Sequence, residues 1–377
     1  MGIEQFLDGS PDDIARLDDA TVTELSNLMP DEAIKLADAW QKWPADTLVD
    51  LLQRLSQLFI ETAHVEFETV FTLALDHVDP RARRLGLAGL AESTDRMVAL
   101  RMAELVRRDP DSSVRASAAA NLALACQQAA EGRLIRRDGE RLFEALCDAF
   151  ENLQEPVEVR ARALESVAAF GGDRVNRFIR TVYADRSIEM RQSAIVAMGR
   201  TGDPAFIDFA VMNLDHVRPE MRLEATNALG LLCDEVQADL LEGPLDDQDL
   251  EVQLAAVAAL ARIGGSDARR LLRGAERSPE PRVATAAKET MAILDEFEGL
   301  EQPVTPAMAK RGMYGAPIRS SADMTDEEYD AAAREGWGHL SEEGEDFGGE
   351  GSRQEEEDPF DTIIDFERPP DQADMDD

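Results

Sequence analysis

Four segments between Ser187 and Leu294 repeat one pattern of side chains at a constant interval. In each segment an apolar residue precedes a marker position, a small residue follows three positions later, and an apolar and a small residue follow after two helical turns. The markers Arg191, Arg222, Gln253 and Ala284 are each 31 residues apart. A fixed period of roughly 20–50 residues is typical of stacked supersecondary units, each of which buries its apolar face against its neighbours. This repeat constrains the fold more than any other feature of the chain.

The same pattern extends towards the N-terminus. Three further markers, Arg83, Arg115 and Arg160, are separated by 32 and 45 residues, so the second interval contains an insertion. The insertion falls around residues 127–140. The chain therefore holds about seven units, more than the roughly three that a stacked array needs.

The spacing inside a unit predicts helices. Met221, Ala225, Ala228, Leu229 and Leu232 recur at intervals of three and four residues, which places them on one helical face. Residues that can cap a helix stand four positions before several markers, and proline often follows at the first helical position. These capping residues are Asp79, Asp111, Ser187 and Asp249, and the prolines are Pro80, Pro219 and Pro281. A shorter apolar helix precedes each of these helices, so each unit is predicted to be a helical hairpin.

An opening like Asp-Pro-x-x-Val-Arg, an alanine-rich second helix and a Gly-Asp or Gly-Gly exit, as at Gly202-Asp203 and Gly264-Gly265, resemble bacterial HEAT repeats. The resemblance covers about Val65 to Glu296 and is strongest to the short HEAT-like repeats first described in phycobilisome lyases. It implies an all-α, right-handed α-solenoid of about seven hairpins whose second helices line the concave surface. We expect an N-terminal helical cap at residues 1–64, the solenoid at 65–298 and an acidic, largely disordered tail at 299–377.

In that family an aspartate six positions before the marker arginine commonly pairs with it along the stack. Asp109 with Arg115 and Asp185 with Arg191 match this rule, whereas His77, Gln154, His216 and Ser278 occupy the aspartate's position elsewhere. The resemblance thus implies a partial ladder with altered geometry in the units that lack the aspartate. It also predicts that Arg191→Ala destabilises the fold more than Arg222→Ala.

The region before the repeats is predicted to contain atypical helices. A helix is expected to open at Ser10-Pro11 and run towards Leu28, and another to begin at Pro30. Trp40 and Trp43 either pack in the cap, which we favour, or form a site on which a ligand stacks.

Charge limits the choice of partners. The chain has 377 residues and a net charge of −38, which repels nucleic acid and anionic lipid. The sequence lacks an N-terminal apolar run and any apolar stretch long enough to span a bilayer, so we expect a cytoplasmic protein without membrane or nucleic-acid partners. Three cysteines, Cys126, Cys147 and Cys233, are expected to be reduced core residues.

The insertion and the tail have opposite charge. Arg133, Arg136, Arg137 and Arg141 surround Leu134 and Ile135 in the insertion; they either pair with acids such as Glu131 and Asp138 or dock an anionic group. Residues 299–377 contain 23 acids and 6 bases, a composition typical of disorder. Their apolar motif is Phe360, Ile363, Ile364 and Phe366. The tail is either a solubilising appendage, or presents this motif to another protein, or docks the motif on the insertion of its own chain.

No catalytic, cofactor or metal constellation stands out in the sequence. We therefore predict a non-catalytic scaffold that binds an unidentified protein partner, with a bilin or cofactor lyase accessory enzyme as the alternative. The predicted partner-binding residues are Arg84, Arg133, Arg136, Arg137, Arg162, Glu165, Glu224 and Asn227. Further exposed positions on the second helices are expected at Ser117, Gln192, Ser193, Arg200 and Arg262.

Overall fold

In a computed structural model, the chain divides into residues 1–300 and 301–377. The structure describes residues 3, 6–7, 11–14, 16–62 and 65–298, all within the first of these two units. Every regular element of this described part is an α-helix or a 3₁₀ helix, which confirms the all-α prediction. The predicted tail and its motif lie outside the described residues. None of the described helices is long and apolar enough to cross a membrane.

Among the described residues before the repeats, four helices have defined bounds. They are α1 (Pro11–Ile14), α2 (Asp19–Thr23), α3 (Pro30–Trp40) and α4 (Ala45–Glu61). The prediction of one helix from Pro11 towards Leu28 is wrong, because Asp18 adopts an extended backbone and its carboxylate accepts a hydrogen bond from the Thr21 N–H, which starts a new helix. Trp40 and Trp43 are buried in the core, as the packing interpretation predicts.

Seven helical hairpins follow, which confirms the number predicted from the period. Their first and second helices are α5 (Glu68–Ala74) and α6 (Pro80–Gly89); α7 (Arg96–Arg108) and α8 (Ser112–Asn121); α10 (Arg136–Glu151) and α11 (Val157–Val167); α12 (Gly172–Tyr183) and α13 (Ile188–Thr201); α14 (Ile207–Val211) and α15 (Pro219–Leu232); α16 (Glu242–Leu245) and α17 (Leu250–Ile263); α18 (Gly265–Ala275) and α19 (Pro281–Glu298). In the fifth and sixth hairpins the first helix is preceded by a 3₁₀ turn, at Pro204–Phe206 and Glu235–Leu241.

The predicted capping residues begin the second helices. The side chains of Asp79, Asp111, Ser187 and Asp249 each accept a hydrogen bond from a backbone N–H in the first turn that follows. The three prolines are the first residues of α6, α15 and α19. Local sequence therefore marks the start of six of the seven second helices; α11, which follows Pro156, has no capping side chain.

The second helices pack side by side in chain order, and α4 precedes them in the row. The order is α4, α6, α8, α11, α13, α15, α17 and α19. Small residues allow this contact. A Cβ added to Gly199 of α13 would lie 2.8 Å from Ala228 Cα of α15, and one added to Gly230 would lie 2.8 Å from Ala259 Cα of α17. Because helices approach this closely only where side chains are short, the repeated small residues fix the spacing of the stack.

The insertion contains a short additional helix, α9 (Ala123–Ala130), which begins directly after α8. This helix packs against α10, α11 and the 3₁₀ turn Ala168–Phe170. The following residues form a loop to α10 in which Leu134 is buried and Ile135 is half-exposed. The insertion is thus an integral part of the third repeat's core rather than a projecting loop.

Candidate interaction surface

A ladder of arginine hydrogen bonds joins neighbouring hairpins at the turns between their two helices. The guanidinium of Arg83 forms two bonds of 2.7 Å with the carboxylate of Asp109 in the next hairpin. Arg222 makes the same two bonds, each 2.7 Å, with Asp247, again one hairpin further along. Arg115 bonds Glu155, which lies in the turn of the next hairpin, at 2.7 Å. Each of these marker arginines therefore ties its own hairpin to the following one.

The prediction that the Asp109 carboxylate pairs with Arg115, six residues later, is wrong. Arg115 does not bind the carboxylate of Asp109; its Nη1 donates 2.8 Å to the Asp109 backbone carbonyl, while the carboxylate binds the preceding marker, Arg83. The premise that Arg222 lacks an acidic partner is also wrong, since that partner is Asp247. The interval between a marker and its acid is nearly one whole repeat, so six-residue spacing could not reveal the pairing.

The residue six positions before each marker has a second role. Its side chain can accept a hydrogen bond from a backbone N–H of the turn, which does not require an acid. The oxygen of Asp109 or Asp247 accepts from the backbone N–H two residues later, at 2.9 and 2.8 Å. Histidine Nδ1 accepts in the same way at His77 and His216, each at 3.1 Å. Ser278 Oγ does so at 3.2 Å. The turn hydrogen bond is therefore preserved at His77, His216 and Ser278, contrary to the expected change in geometry there, because several side chains can supply one acceptor. It is absent at Gln154, since the residue two positions later is Pro156, which has no N–H to donate.

The Arg222–Asp247 pair makes stability depend on pH. The hydrogen bonds from Arg222 hold the pKa of the Asp247 carboxyl below its usual value, although burial opposes this effect. A lowered folded-state pKa contributes stability above the unfolded pKa of about 4 and loses it as pH falls through the folded value. We expect the loss of unfolding free energy in Arg222→Gln to be constant from pH 7 to about pH 5 and to shrink below about pH 4. Urea titrations of both proteins across this range check the expectation, and a pH-independent difference would contradict it.

The exposed surface of the second helices holds several of the predicted partner-binding residues. Arg84 and Arg162 are exposed, and Glu224 and Asn227 are half-buried. Glu165, however, is only 4% exposed, so its assignment as a partner contact is wrong. Its carboxylate accepts from Arg162 at 2.8 Å and from Ser193 Oγ at 2.7 Å. A buried carboxylate needs such donors, and the bond from Ser193 joins α11 to α13. Ser193 was also predicted to be exposed. It is buried too, since it faces Glu165 and donates this hydrogen bond.

A narrow groove runs between α13 and α15 on this surface. Its volume is about 190 Å³, and its lining residues are Val196, Arg200, Glu224, Asn227, Ala228 and Leu231. The structure thus brings together two of the predicted residues, Glu224 and Asn227, with Arg200. Gln192 of α13 donates to the Glu224 carboxylate at 3.3 Å across the helix pair.

Sequence reasoning missed two apolar residues of the groove. Leu231 is 44% exposed, and Val196 is half-buried. The sequence did contain a signal for these residues, namely an equal distance from the marker in successive repeats. Val196 and Asn227 stand five positions after their markers, and Arg200 and Leu231 stand nine positions after theirs. Positions at equal distances from the marker lie on equivalent faces of successive second helices, so the repeat itself predicts which side chains are neighbours.

The arginines of the insertion are mostly occupied by nearby acids. Arg133 pairs with Glu131, Arg136 bonds Glu140 at 2.9 Å, and Arg141 lies 3.7 Å from Asp138. Asp138 is buried and also pairs with Arg96 at 2.8 Å, which fixes the start of α10 against α7. Arg137 is exposed. The structure therefore favours the pairing interpretation of this cluster over an open site for an anionic group.

Comparison with known proteins bears on the repeat. The sequence model of HEAT repeats matches residues 143–230 and 210–292, which span α11 to α18 and parts of α10 and α19. The period of 31 residues and the observed hairpins agree with this match. Residues 143–292 of the chain therefore form HEAT repeats. No curated protein matches its sequence.

Solved structures similar to this chain include the Escherichia coli protein YibA, with 16% identity, coverage of 75% of this chain and 95% of that one, and a TM-score of 0.35. A designed armadillo repeat protein has 21% identity, coverage of 52% and 99%, and a TM-score of 0.30. A structure of the Pds5–Scc1 complex has 10% identity, coverage of 80% and 58%, and a TM-score of 0.33. All three TM-scores are low, so the assignment to HEAT repeats rests on the sequence match and the periodic hairpins.

The three cysteines of the chain are free thiols in the core or at its edge. Cys126 and Cys147 are buried and Cys233 is half-buried. Burial raises the pKa of the Cys126 thiol far above its usual value, that of Cys147 to about 12 and that of Cys233 to about 11. Because the thiolate is the reactive form, none of these thiols is activated as a nucleophile near neutral pH. Among the described residues, no three His, Cys, Asp or Glu side chains are grouped so as to hold a metal ion.

Proposed function

We propose that this HEAT-repeat protein is a non-catalytic scaffold that binds a protein partner on the exposed surface of its second helices. The observation that supports the proposal is the groove between α13 and α15, in which an exposed leucine, Leu231, lies beside Arg200, Glu224 and Asn227. An apolar anchor site surrounded by polar and charged groups is the usual composition of a protein interface.

The stack supports this proposal because it holds the groove rigid. Glu165 joins α11 to α13 through Ser193, and the backbone carbonyl of Glu165 accepts from Arg200 Nη1 at 3.0 Å. Arg200 is therefore anchored at one end while its side chain lines the groove. A side chain that is fixed before binding loses less conformational entropy when the partner arrives.

The proposal is tested by placing a photo-cross-linking amino acid at Leu231 of the full chain in its native host. The matched control is Met97, an exposed apolar residue on the first helix α7. We expect a discrete cross-linked adduct from Leu231 and none from Met97. Arg200→Glu is then expected to weaken binding of the identified partner by about tenfold or more.

Two outcomes contradict the proposal. One is the same set of adducts from Leu231 and Met97, because the contact is then not specific to the second-helix surface. The other is covalent transfer of a bilin to an apo-acceptor protein in the presence of the purified chain, measured by absorbance, which identifies the lyase alternative instead. Neither outcome depends on knowing the partner beforehand.

A further inference from the structure

A second cleft, distinct from the groove, opens at the turns of the fifth and sixth hairpins. Its volume is about 620 Å³. One wall is the turn between α14 and α15, and the other comprises α16, the residue Leu240 before it and the loop that leads to α17. Sites of roughly 300–1,000 Å³ enclose most of a ligand of a few hundred daltons, which is the size of a short peptide segment.

The walls of this cleft combine polar and apolar groups. Its apolar side chains are Val211, Leu214, Val217, Leu240 and Pro244, and His216 and Gln248 line it as well. Val217 is 64% exposed, so it presents an apolar surface that the hairpins themselves do not cover. The cleft also contains the Arg222–Asp247 ladder pair, whose side chains are only 15% and 10% exposed. These two charges neutralise each other inside the cleft.

The charges that remain at the rim are negative. Asp215 and Asp246 line the cleft from the two neighbouring hairpins, both are exposed, and neither forms an ion pair with another described residue. Arg218 is exposed nearby but does not line the cleft. The sequence of the sixth hairpin is also acidic, because no lysine or arginine occurs between Arg222 and Arg262. The acids in that interval are Glu224, Asp234, Glu235, Asp239, Glu242, Asp246, Asp247, Asp249 and Glu251.

We propose that this cleft binds a basic peptide segment of a partner protein, with an apolar side chain against Val217 and Leu240 and a lysine or arginine on either side reaching Asp215 and Asp246. Charge complementarity selects the occupant: two carboxylates on opposite rims attract cations, and the exposed apolar side chain of Val217 favours an uncharged side chain between them. This surface lies on the turn edge of the stack and does not depend on the second-helix groove.

The charged and the apolar side chains of the proposed peptide contact different groups of the cleft. The carboxylates speed encounter and fix the direction of the segment, while burial of the apolar side chain supplies most of the affinity. A peptide with the charges but no apolar residue, or the reverse, is therefore expected to bind distinctly more weakly than one with both.

The test uses the full chain and a fluorescein-labelled nonapeptide in which two arginines flank a leucine, with binding followed by fluorescence anisotropy. We expect saturable binding that weakens about tenfold or more when Asp215→Asn and Asp246→Asn are combined. The control combines Asp31→Asn and Asp38→Asn on α3, which removes the same charge from exposed acids far along the chain and is expected to change the dissociation constant less than about twofold. Replacement of the peptide leucine by serine is expected to weaken binding about tenfold.

The proposal is overturned if the two double variants weaken binding equally, because attraction is then only to the overall negative charge. It is also overturned if the leucine-to-serine peptide binds as tightly as its parent, or if binding is not saturable. Leu231→Asp in the groove is expected to leave peptide binding unchanged. A loss caused by this variant would assign the peptide to the second-helix surface and contradict the cleft, whereas failure of the cleft variants leaves the proposed function untouched.

Discussion

Arg83→Ala is expected to lower the free energy of unfolding by about 3–5 kcal/mol, the cost of leaving one member of a buried ion pair without its partner. The side chains of Arg83 and Asp109 are only 9% and 3% exposed, so the carboxylate cannot recover its lost hydrogen bonds from water. The substitution also removes the bonds from Arg83 Nη1 to the His77 and Val78 carbonyls, at 2.8 and 3.0 Å. Urea unfolding followed by circular dichroism measures the loss.

Arg84→Ala is the matched control, because Arg84 is the next residue of the same helix and is exposed. It is expected to change stability by less than about 0.5 kcal/mol. The combined variant Arg83→Met with Asp109→Asn is expected to be more stable than Arg83→Ala, since a buried charge without a partner is then absent. Hydrogen exchange should show the destabilisation first in α6 and α8, because repeat arrays lose stability at the interface that is altered. Equal losses for Arg83→Ala and Arg84→Ala would show that the ladder contributes no stability.

Gly199→Val is expected to destabilise the chain by about 1–3 kcal/mol through overpacking between α13 and α15. A Cβ at this position would lie 2.8 Å from the Ala228 backbone Cα and 3.1 Å from its Cβ, and a backbone atom cannot move aside as a flexible side chain can. Gly199→Ala is expected to be destabilising too, although alanine is intrinsically the better helix former. Thermal and urea unfolding measure both variants.

Gly274 provides the opposite case on the first helix α18. No atom lies within 4 Å of a Cβ added there, so Gly274→Ala is expected to raise the free energy of unfolding by about 0.5–1 kcal/mol. A stabilising effect of alanine at both glycines would show that α13 and α15 are not held at the distance observed here. Since Gly199 lies between Val196 and Arg200 in the sequence, its variants are also expected to widen the groove and weaken partner binding there.

The ladder and the close contacts act on different parts of each repeat. Arg83–Asp109 and Arg222–Asp247 join the turns, whereas Gly199 and Gly230 bring the second helices together. Together they fix both edges of a hairpin relative to the next one. This arrangement also sets the positions of the groove side chains Arg200 and Leu231, to which the proposed function assigns partner binding.

The amino-acid sequence by itself determined the features that depend on one helix at a time. The 31-residue period gave the number of hairpins, and Asp79, Asp111, Ser187 and Asp249 marked where second helices begin. These predictions succeed because capping and helical periodicity involve residues within a few positions of each other. The buried state of Cys126 and Cys147 followed from the same periodicity.

Only the tertiary structure decided which side chains from successive hairpins meet. Helical periodicity places Glu165 on the outward side of α11, but the neighbouring Ser193 of α13 covers it. Asp109 and Asp247 bind the arginine of the preceding hairpin, a contact set by the 25–26 residue path through a whole unit. The cleft beside Val217 likewise exists only because two turns stand apart at their exposed edge. Sequence spacing defines a face within one helix, whereas the residues opposite that face depend on how the hairpins pack.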